Sequence, residues 1–218
     1  MYARSLRILS IVLIAGLAFV FFFVNAATQE KAVPAPPVFS GKTETATFGM
    51  GCFWCSQALF EKFGGITKTV VGYAGGHTVN PTYEDVCGDQ TGHAETIQIT
   101  FDPSKISYSQ LLDIFWNVHD PTTLNQQGAD EGTQYRSIIL YQSPEQKQLA
   151  EASKMAEQAR LGKPVTTEIV PLTTFYPAED YHQDYFKKNP HAPYCLFVID
   201  PKLVKLELHP PATVKLAK

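Results

Sequence analysis

Seventeen consecutive residues, Ile8 to Val24, hold a single polar side chain, Ser10, and no polar face. Such a run does not fold as part of a surface-exposed helix, so it divides the chain before anything else is considered. Arg4 and Arg7 precede it, and small residues follow at Val24-Asn25-Ala26. A basic start, an apolar stretch and a small-residue site describe an export signal. At about 1.5 Å per residue the run spans about 26 Å as a helix, near the thin limit for crossing a bilayer. Residues 1–26 therefore read as a signal peptide or an N-terminal membrane anchor. Either one places the rest outside the cytoplasm, periplasmic or anchored facing the periplasm. Residues 27–43 carry Pro34, Pro36, Pro37 and Gly41 without an apolar period and read as a linker. One domain over 44–210 follows, with 211–218 as a C-terminal tail.

Composition narrows the classes. Of 218 residues, 44% are hydrophobic and 18% charged, which excludes a disordered or collagen-like chain. Without the two leader arginines, 16 basic residues face 21 acidic ones, and only Arg136 and Arg160 remain as arginines. Binding nucleic acid needs clustered cations, so that class is set aside. Four cysteines are too few to staple a domain of this size and point instead to chemistry.

The domain alternates strand and helix signals irregularly. Strands are expected at Thr45 to Phe48, Thr67 to Tyr73, Glu95 to Phe101, Ser137 to Tyr141, Thr166 to Val170 and Leu196 to Ile199. Helices are expected from Phe53 to Phe63, after the cap Ser107, from Pro144 to Arg160 before Gly162, and over Ala178 to Lys187. This pattern predicts an α+β fold, a mixed β-sheet flanked by helices.

The chemistry concentrates at Gly51-Cys52-Phe53-Trp54-Cys55, where a glycine turn opens a helix. Free N–H groups and the dipole of a helix start lower a thiol's pKa, which would make Cys52 a nucleophile. Cys55, one turn along at about 5 Å between Cα atoms, lies within disulfide range. A zinc site lacks its other half, since Cys87 and Cys195 stand alone, so no metal is expected. Two readings of the pair stay open beside a dedicated thiol enzyme: an exported thioredoxin-like disulfide oxidoreductase, and a redox-sensing module that binds peptides. His93 and Glu95 are spaced as in zinc deaminases, but the cysteine pair lies upstream rather than downstream.

Five strings in order, GCFWC, PTYEDVCGDQTGHAE, FWNVHDPTT, DEGTQYRS and AEDYHQDYFKKNP, resemble the A class of peptide methionine sulfoxide reductases. The resemblance covers Thr45 to Leu206. It implies a two-layer ferredoxin-like plait and reduction of methionine-S-sulfoxide, free or in proteins. Cys52 then matches the nucleophile, and Phe53 and Trp54 the apolar wall around the substrate methyl group. Glu95 matches the acid that protonates the sulfoxide oxygen, Tyr83 and Tyr135 the phenols that bond it, and Asp130 an acid of the pocket. The resemblance further implies a sulfenic acid on Cys52, resolved by Cys55 or Cys195 to a disulfide, with a thioredoxin-like external dithiol as reductant and no cofactor. Oxidised proteins and that reductant are the expected partners, and the enzyme is expected to be a monomer. Gln57 stands where the family commonly has Glu, and His182 is assigned to structure.

Overall fold

The computed structural model describes residues 43–217. The leader and nearly all of the linker lie outside them. Eight strands and six helices follow in chain order: β1 Glu44–Met50, α1 Phe53–Phe60, β2 Ile66–Ala74, α2 Tyr83–Cys87, β3 Ala94–Phe101 and α3 Tyr108–Val118. Then come β4 Gln126–Gln127, β5 Asp130–Glu131, β6 Ser137–Tyr141, α4 Pro144–Leu161, β7 Glu168–Pro171, β8 Phe175–Pro177, α5 Tyr185–Lys188 and α6 Asp200–Leu208.

Six strands form one sheet in the order β7-β6-β1-β3-β2-β8. Its middle four run β6-β1-β3-β2, with β3 antiparallel to both β1 and β2 and β6 antiparallel to β1. Helix α1 carries the chain from β1 to β2, leaving room for β3 between them, which is the split crossover of a ferredoxin-like plait. The fold is α+β, a mixed sheet with helices against it. The one parallel pair, β6 with β7, spans the long helix α4, as a parallel connection requires.

Alternation decides which face is covered. Ala46, Phe48 and Met50 of β1 join Ile97, Ile99 and Phe101 of β3 in the main core. Leu111, Leu112 and Phe115 of α3 and Leu59 and Phe60 of α1 close over them. Phe48 sits at the centre, its ring 5.2 Å from that of Phe115 and 6.0 Å from that of Phe60. The long helices begin where their caps predict: Ser107 and Ser143 accept from the N–H groups of Gln110 and Gln146. Gly162 ends α4 in the left-handed conformation.

Two expected elements are corrected. Leu196 to Ile199 is not a strand but a π-helical turn, Cys195–Ile199, that runs into α6. A four-residue apolar run cannot distinguish the two by period. The helical spacing appears only across Asp200-Pro201, in the buried set Cys195, Ile199, Leu203 and Leu206. Ala178 to Lys187 is not one helix either. Asp184 takes a left-handed φ of 55° and only Tyr185–Lys188 is helical. The side chain of Gln183 instead bonds both the N–H and the carbonyl of Val71 on β2, which holds this run of turns beside the sheet.

The turn between β1 and α1 aims the thiol pair, and it depends on Gly51. Its φ is +90°, and a Cβ there would stand 2.7 Å from the side chain of Gln127. Gly51→Ala is therefore expected to cost about 1–3 kcal/mol, the usual scale for backbone strain, and to displace Cys52. Urea unfolding together with thiol reactivity checks this; an unchanged midpoint would contradict the reading of the turn.

Candidate active site

Cys52 is the N-cap of α1 and lies 6% exposed; Cys55 is 3% exposed. All four cysteines are reduced, and Cys87, on the surface of α2, is the exposed one. The Cys52 carbonyl accepts from the backbone N–H and the hydroxyl of Ser56, which fixes the first turn of α1. Beside the helix start lies Glu95 of β3, 2% exposed, whose Oε2 accepts from the Phe53 N–H at 2.9 Å. Burial raises the Glu95 carboxyl to about 8, against the pull of the Phe53 N–H, with Asp130 and Cys55 adding repulsion. At neutral pH this side chain is mostly the protonated acid.

The thiols differ from the sequence expectation. Cys52 is not the low-pKa thiol of the pair: burial raises it well above the ordinary range, and Cys55 and Glu95 raise it further. Cys55 is lowered to about 7, first by its hydrogen bond with Cys52, against burial, then by the charge of Lys202 and by Tyr194. The helix is eight residues long and its dipole acts on a thiol removed from water, so desolvation decides. Of the pair, Cys55 is the thiol that ionises more readily.

The other expected residues gather around this pair. Tyr135 ends a 3₁₀ turn, Thr133–Tyr135, and Tyr83 opens α2. Burial raises both phenols, and the nearby Glu95 raises them further, so each is a hydrogen-bond donor. Glu179 fixes Tyr83 by accepting from its N–H at 2.9 Å. Asp130 accepts from the Tyr194 hydroxyl at 2.9 Å. Phe53 and Trp54 diverge: Phe53 is packed inward against Tyr73, whereas Trp54 is half-buried at the rim. Cys195 is fully buried at the start of its π-helical turn, close enough to Cys55 to sense its charge.

Four further residues complete the site beyond the sequence expectation. Tyr185 stacks on Trp54 at 3.7 Å between ring centroids, and Tyr194 meets it edge-on at 5.6 Å. The hydroxyl of Tyr194 also lies 3.7 Å from Cys55 Sγ. His182 accepts at Nδ1 from the Trp54 indole N–H at 3.1 Å, and its ring packs on Phe53 and Tyr83. Lys202 of α6 reaches Cys55 Sγ at 3.5 Å. Aromatic spacing inside AEDYHQDYFKKNP is the available signal for Tyr185; none marks Lys202. Gln57 turns away from the thiols. Its amide donates to Thr69 and accepts from the Asp184 N–H at 2.8 Å, holding the far segment against α1. Among the described residues no three His, Cys, Asp or Glu side chains converge as a metal ion would need.

Both the sequence and the fold have counterparts among known proteins. Residues 44–212 match the family described as peptide methionine sulfoxide reductase. The chain is 57% identical over 162 residues to the peptide methionine sulfoxide reductase MsrA of Sulfolobus acidocaldarius, covering 74% of this chain and 92% of that one. It is 54% identical over 173 residues to MsrA of Saccharolobus solfataricus, covering 79% and 98%. Among solved structures, reduced Mxr1 of Saccharomyces cerevisiae superposes with a TM-score of 0.68 at 36% identity, covering 73% of this chain and 92% of that one. Methionine sulfoxide reductase A of Corynebacterium diphtheriae gives 0.64 at 38% identity, covering 70% and 78%. The chain belongs to the peptide methionine sulfoxide reductase family, A class. Its activity is that of a peptide-methionine (S)-S-oxide reductase.

The state of Glu95 predicts a pH-dependent stability. Its folded value of about 8 lies above the ordinary value of about 4.3, so the protonated acid favours the native state. That contribution is complete below about pH 4.3 and is lost as pH rises towards 8, on the order of a few kcal/mol in all. Glu95→Gln lacks the ionisation. Relative to wild type it should gain stability between pH 4 and pH 9, measured by urea unfolding; parallel curves across that range would contradict a buried acid.

Proposed function

We propose that this enzyme reduces methionine-S-sulfoxide through Cys52, with Glu95 as the acid and Cys55 as the first resolving thiol. The observation that carries the reading is the buried Cys52–Cys55 pair at the start of α1, with the raised Glu95 carboxyl bonded to the Phe53 N–H between them. A sulfoxide sulfur resists attack until its oxygen takes up a proton or strong hydrogen bonds. Glu95 supplies the proton, and Tyr83 and Tyr135 supply the bonds. Trp54, with Phe53 behind it, forms the apolar wall for the substrate methyl group, and Asp130 orients the pocket through Tyr194.

The atoms balance as follows. The Cys52 proton passes to Cys55 as Cys52 sulfur attacks the sulfoxide sulfur, and the Glu95 proton goes to the oxygen. The oxygen leaves with Cys52 as a sulfenic acid, methionine departs reduced by two electrons, and Glu95 is left ionised. Cys55 then returns its proton to Glu95 and attacks the sulfenic sulfur. An S–S bond forms, the S–O bond breaks, and hydroxide leaves as water with a proton from solvent. A thioredoxin-fold dithiol completes the cycle by reducing the disulfide. Cys195 serves as relay or reserve, because its π-helical turn is locked by Ile199, Leu203 and Leu206 and must unwind before its sulfur can move. The leader suits export, with the enzyme acting as a monomer on oxidised periplasmic proteins and held at the membrane if the leader is retained. Mass spectrometry of the mature N-terminus tests that placement; a cytoplasmic pool with an intact leader would overturn it.

Cys52→Ser should abolish sulfoxide reduction in a folded protein, assayed with dithiothreitol as reductant; activity above a few per cent would remove Cys52 from its role. Disulfide order is read by treating wild type, Cys55→Ser and Cys195→Ser with one equivalent of sulfoxide and mapping peptides by mass. The wild type should form Cys52–Cys55 first. An earlier Cys52–Cys195 bond would reverse the proposed order.

A further inference from the structure

Helix α6 touches the site at one polar point. Lys202, half-buried on α6, places Nζ 3.5 Å from Cys55 Sγ. The groups facing Cys55 are Cys52 on its own helix, Tyr194 and Cys195 from the C-terminal segment, Lys202 from α6 and Glu95 from β3. Lys202 is the one cation among them. Asp130 makes no ion pair with it and accepts instead from the Tyr194 hydroxyl. We propose that the Lys202 ammonium is the fixed counter-ion of Cys55 and that this pairing selects Cys55, ahead of Cys195, to close the disulfide onto Cys52.

The inference rests on the reading of Cys55 as the resolving thiol and adds the residue that makes it so. Cys195 is likewise closed to solvent but has no cation in contact among the described residues, and burial raises its thiol. Of two thiols available to one sulfenic acid, the one that ionises more readily attacks first, since the thiolate is the nucleophile. The step itself is balanced: Cys55 thiolate forms the S–S bond, the S–O bond of the sulfenic acid breaks, and hydroxide leaves as water with a solvent proton. Lys202 forms no bond in it and is a positioning residue.

Its signature is a crossed pH profile. Replacing Lys202 should move Cys55 from about 7 towards the ordinary thiol value of about 8.5. Cys52 and Tyr194 also lower this thiol, so a full return sets the upper bound: the thiolate fraction at pH 7 falls by up to about 16-fold, while the more basic thiolate is up to about 5-fold more nucleophilic at a Brønsted slope of about 0.45. Disulfide closure should slow by up to about 3-fold at pH 7 and about 6-fold at pH 6, yet run up to about 4-fold faster above pH 9, with the curves crossing near pH 8. A purely structural defect would slow the step at every pH.

The experiment is single-turnover quenched flow on full-length wild type, Lys202→Met and Lys202→Arg from pH 6 to pH 9.5. One equivalent of methionine sulfoxide is supplied, free thiols are counted and the bonds are mapped by mass. Methionine keeps the apolar stem, so packing is preserved, and Arg keeps the charge. Crossed curves for Lys202→Met, with Lys202→Arg close to wild type and a rising share of Cys52–Cys195 bonds in Lys202→Met, support the proposal. A wild-type profile in Lys202→Met, with Cys52–Cys55 still forming first, overturns the counter-ion role and leaves the resolving role of Cys55 standing. Cys52–Cys195 forming first in wild type overturns the resolving role itself. Thiolate absorbance at 240 nm, titrated in all three proteins, measures the Cys55 ionisation independently of turnover: an unshifted titration in Lys202→Met would also overturn the counter-ion role.

Discussion

The bond from the Phe53 N–H to Glu95 Oε2, 2.9 Å long, joins the start of α1 to the middle of the sheet. The first turn of any helix exposes N–H groups without partners inside the helix. Here a carboxyl from β3 meets one of them, 42 residues away in sequence but adjacent in space because β3 lies between β1 and β2. Register does the rest: Glu95 pairs with Tyr73 across β2, which fixes the height of its side chain relative to the helix. If the bond were between an N–H and a carboxylate it would be stronger and would hold the carboxyl ionised. Burial outweighs that pull, so one interaction both seats Cys52 and leaves an acid with a proton to give.

The plait supplies the floor of the site, and the C-terminal quarter supplies its walls. Gln183 attaches that quarter to β2 and Gln57 attaches it to α1. Glu179 then gathers Tyr73 and the start of α2, accepting from the Tyr73 hydroxyl at 2.8 Å and the Tyr83 N–H. These are amide and carboxylate contacts between segments far apart in sequence, and they set where Tyr185, Tyr194 and Lys202 stand. Gln57 needs both halves of its amide for this, a donor for Thr69 and an acceptor for Asp184. A carboxylate there would have no hydrogen to give Thr69, whose own hydrogen goes to Glu61.

What can be read in the sequence is local and strongly patterned. The strands of the central sheet and the capped helices α3 and α4 lie near their expected bounds, because alternation, a serine cap and Pro144 each act within one element. Helix α2 escapes that reading although Thr82 and Asp85 form a capping box, since five residues show no apolar period. The three-residue edge strand β8 escapes it for the same reason. Motifs bring Cys52, Glu95, Tyr83, Tyr135 and Asp130 to one place, which spacing alone does not do. The charge within the thiol pair is the reverse of what the helix start suggests. A helix start is visible in sequence, whereas desolvation of Cys52 and the approach of Lys202 to Cys55 exist only once the chain is packed.

That reversal matters because the site is short of positive charge. Cys52, Cys55 and Glu95 can each carry a negative charge within one buried space, and Lys202, in contact with Cys55, is the cation that meets them. Like charges in such surroundings repel strongly, so two of these groups ionised together would be costly. In the proposed sequence this never happens. Cys55 carries the charge at rest, Glu95 carries it once its proton has gone to the sulfoxide oxygen, and Cys55 carries it again before the disulfide closes. When the S–S bond forms, the charge departs with hydroxide. Each proton shift is therefore coupled to the one before it, and the order of the chemistry follows from where a single charge can be tolerated.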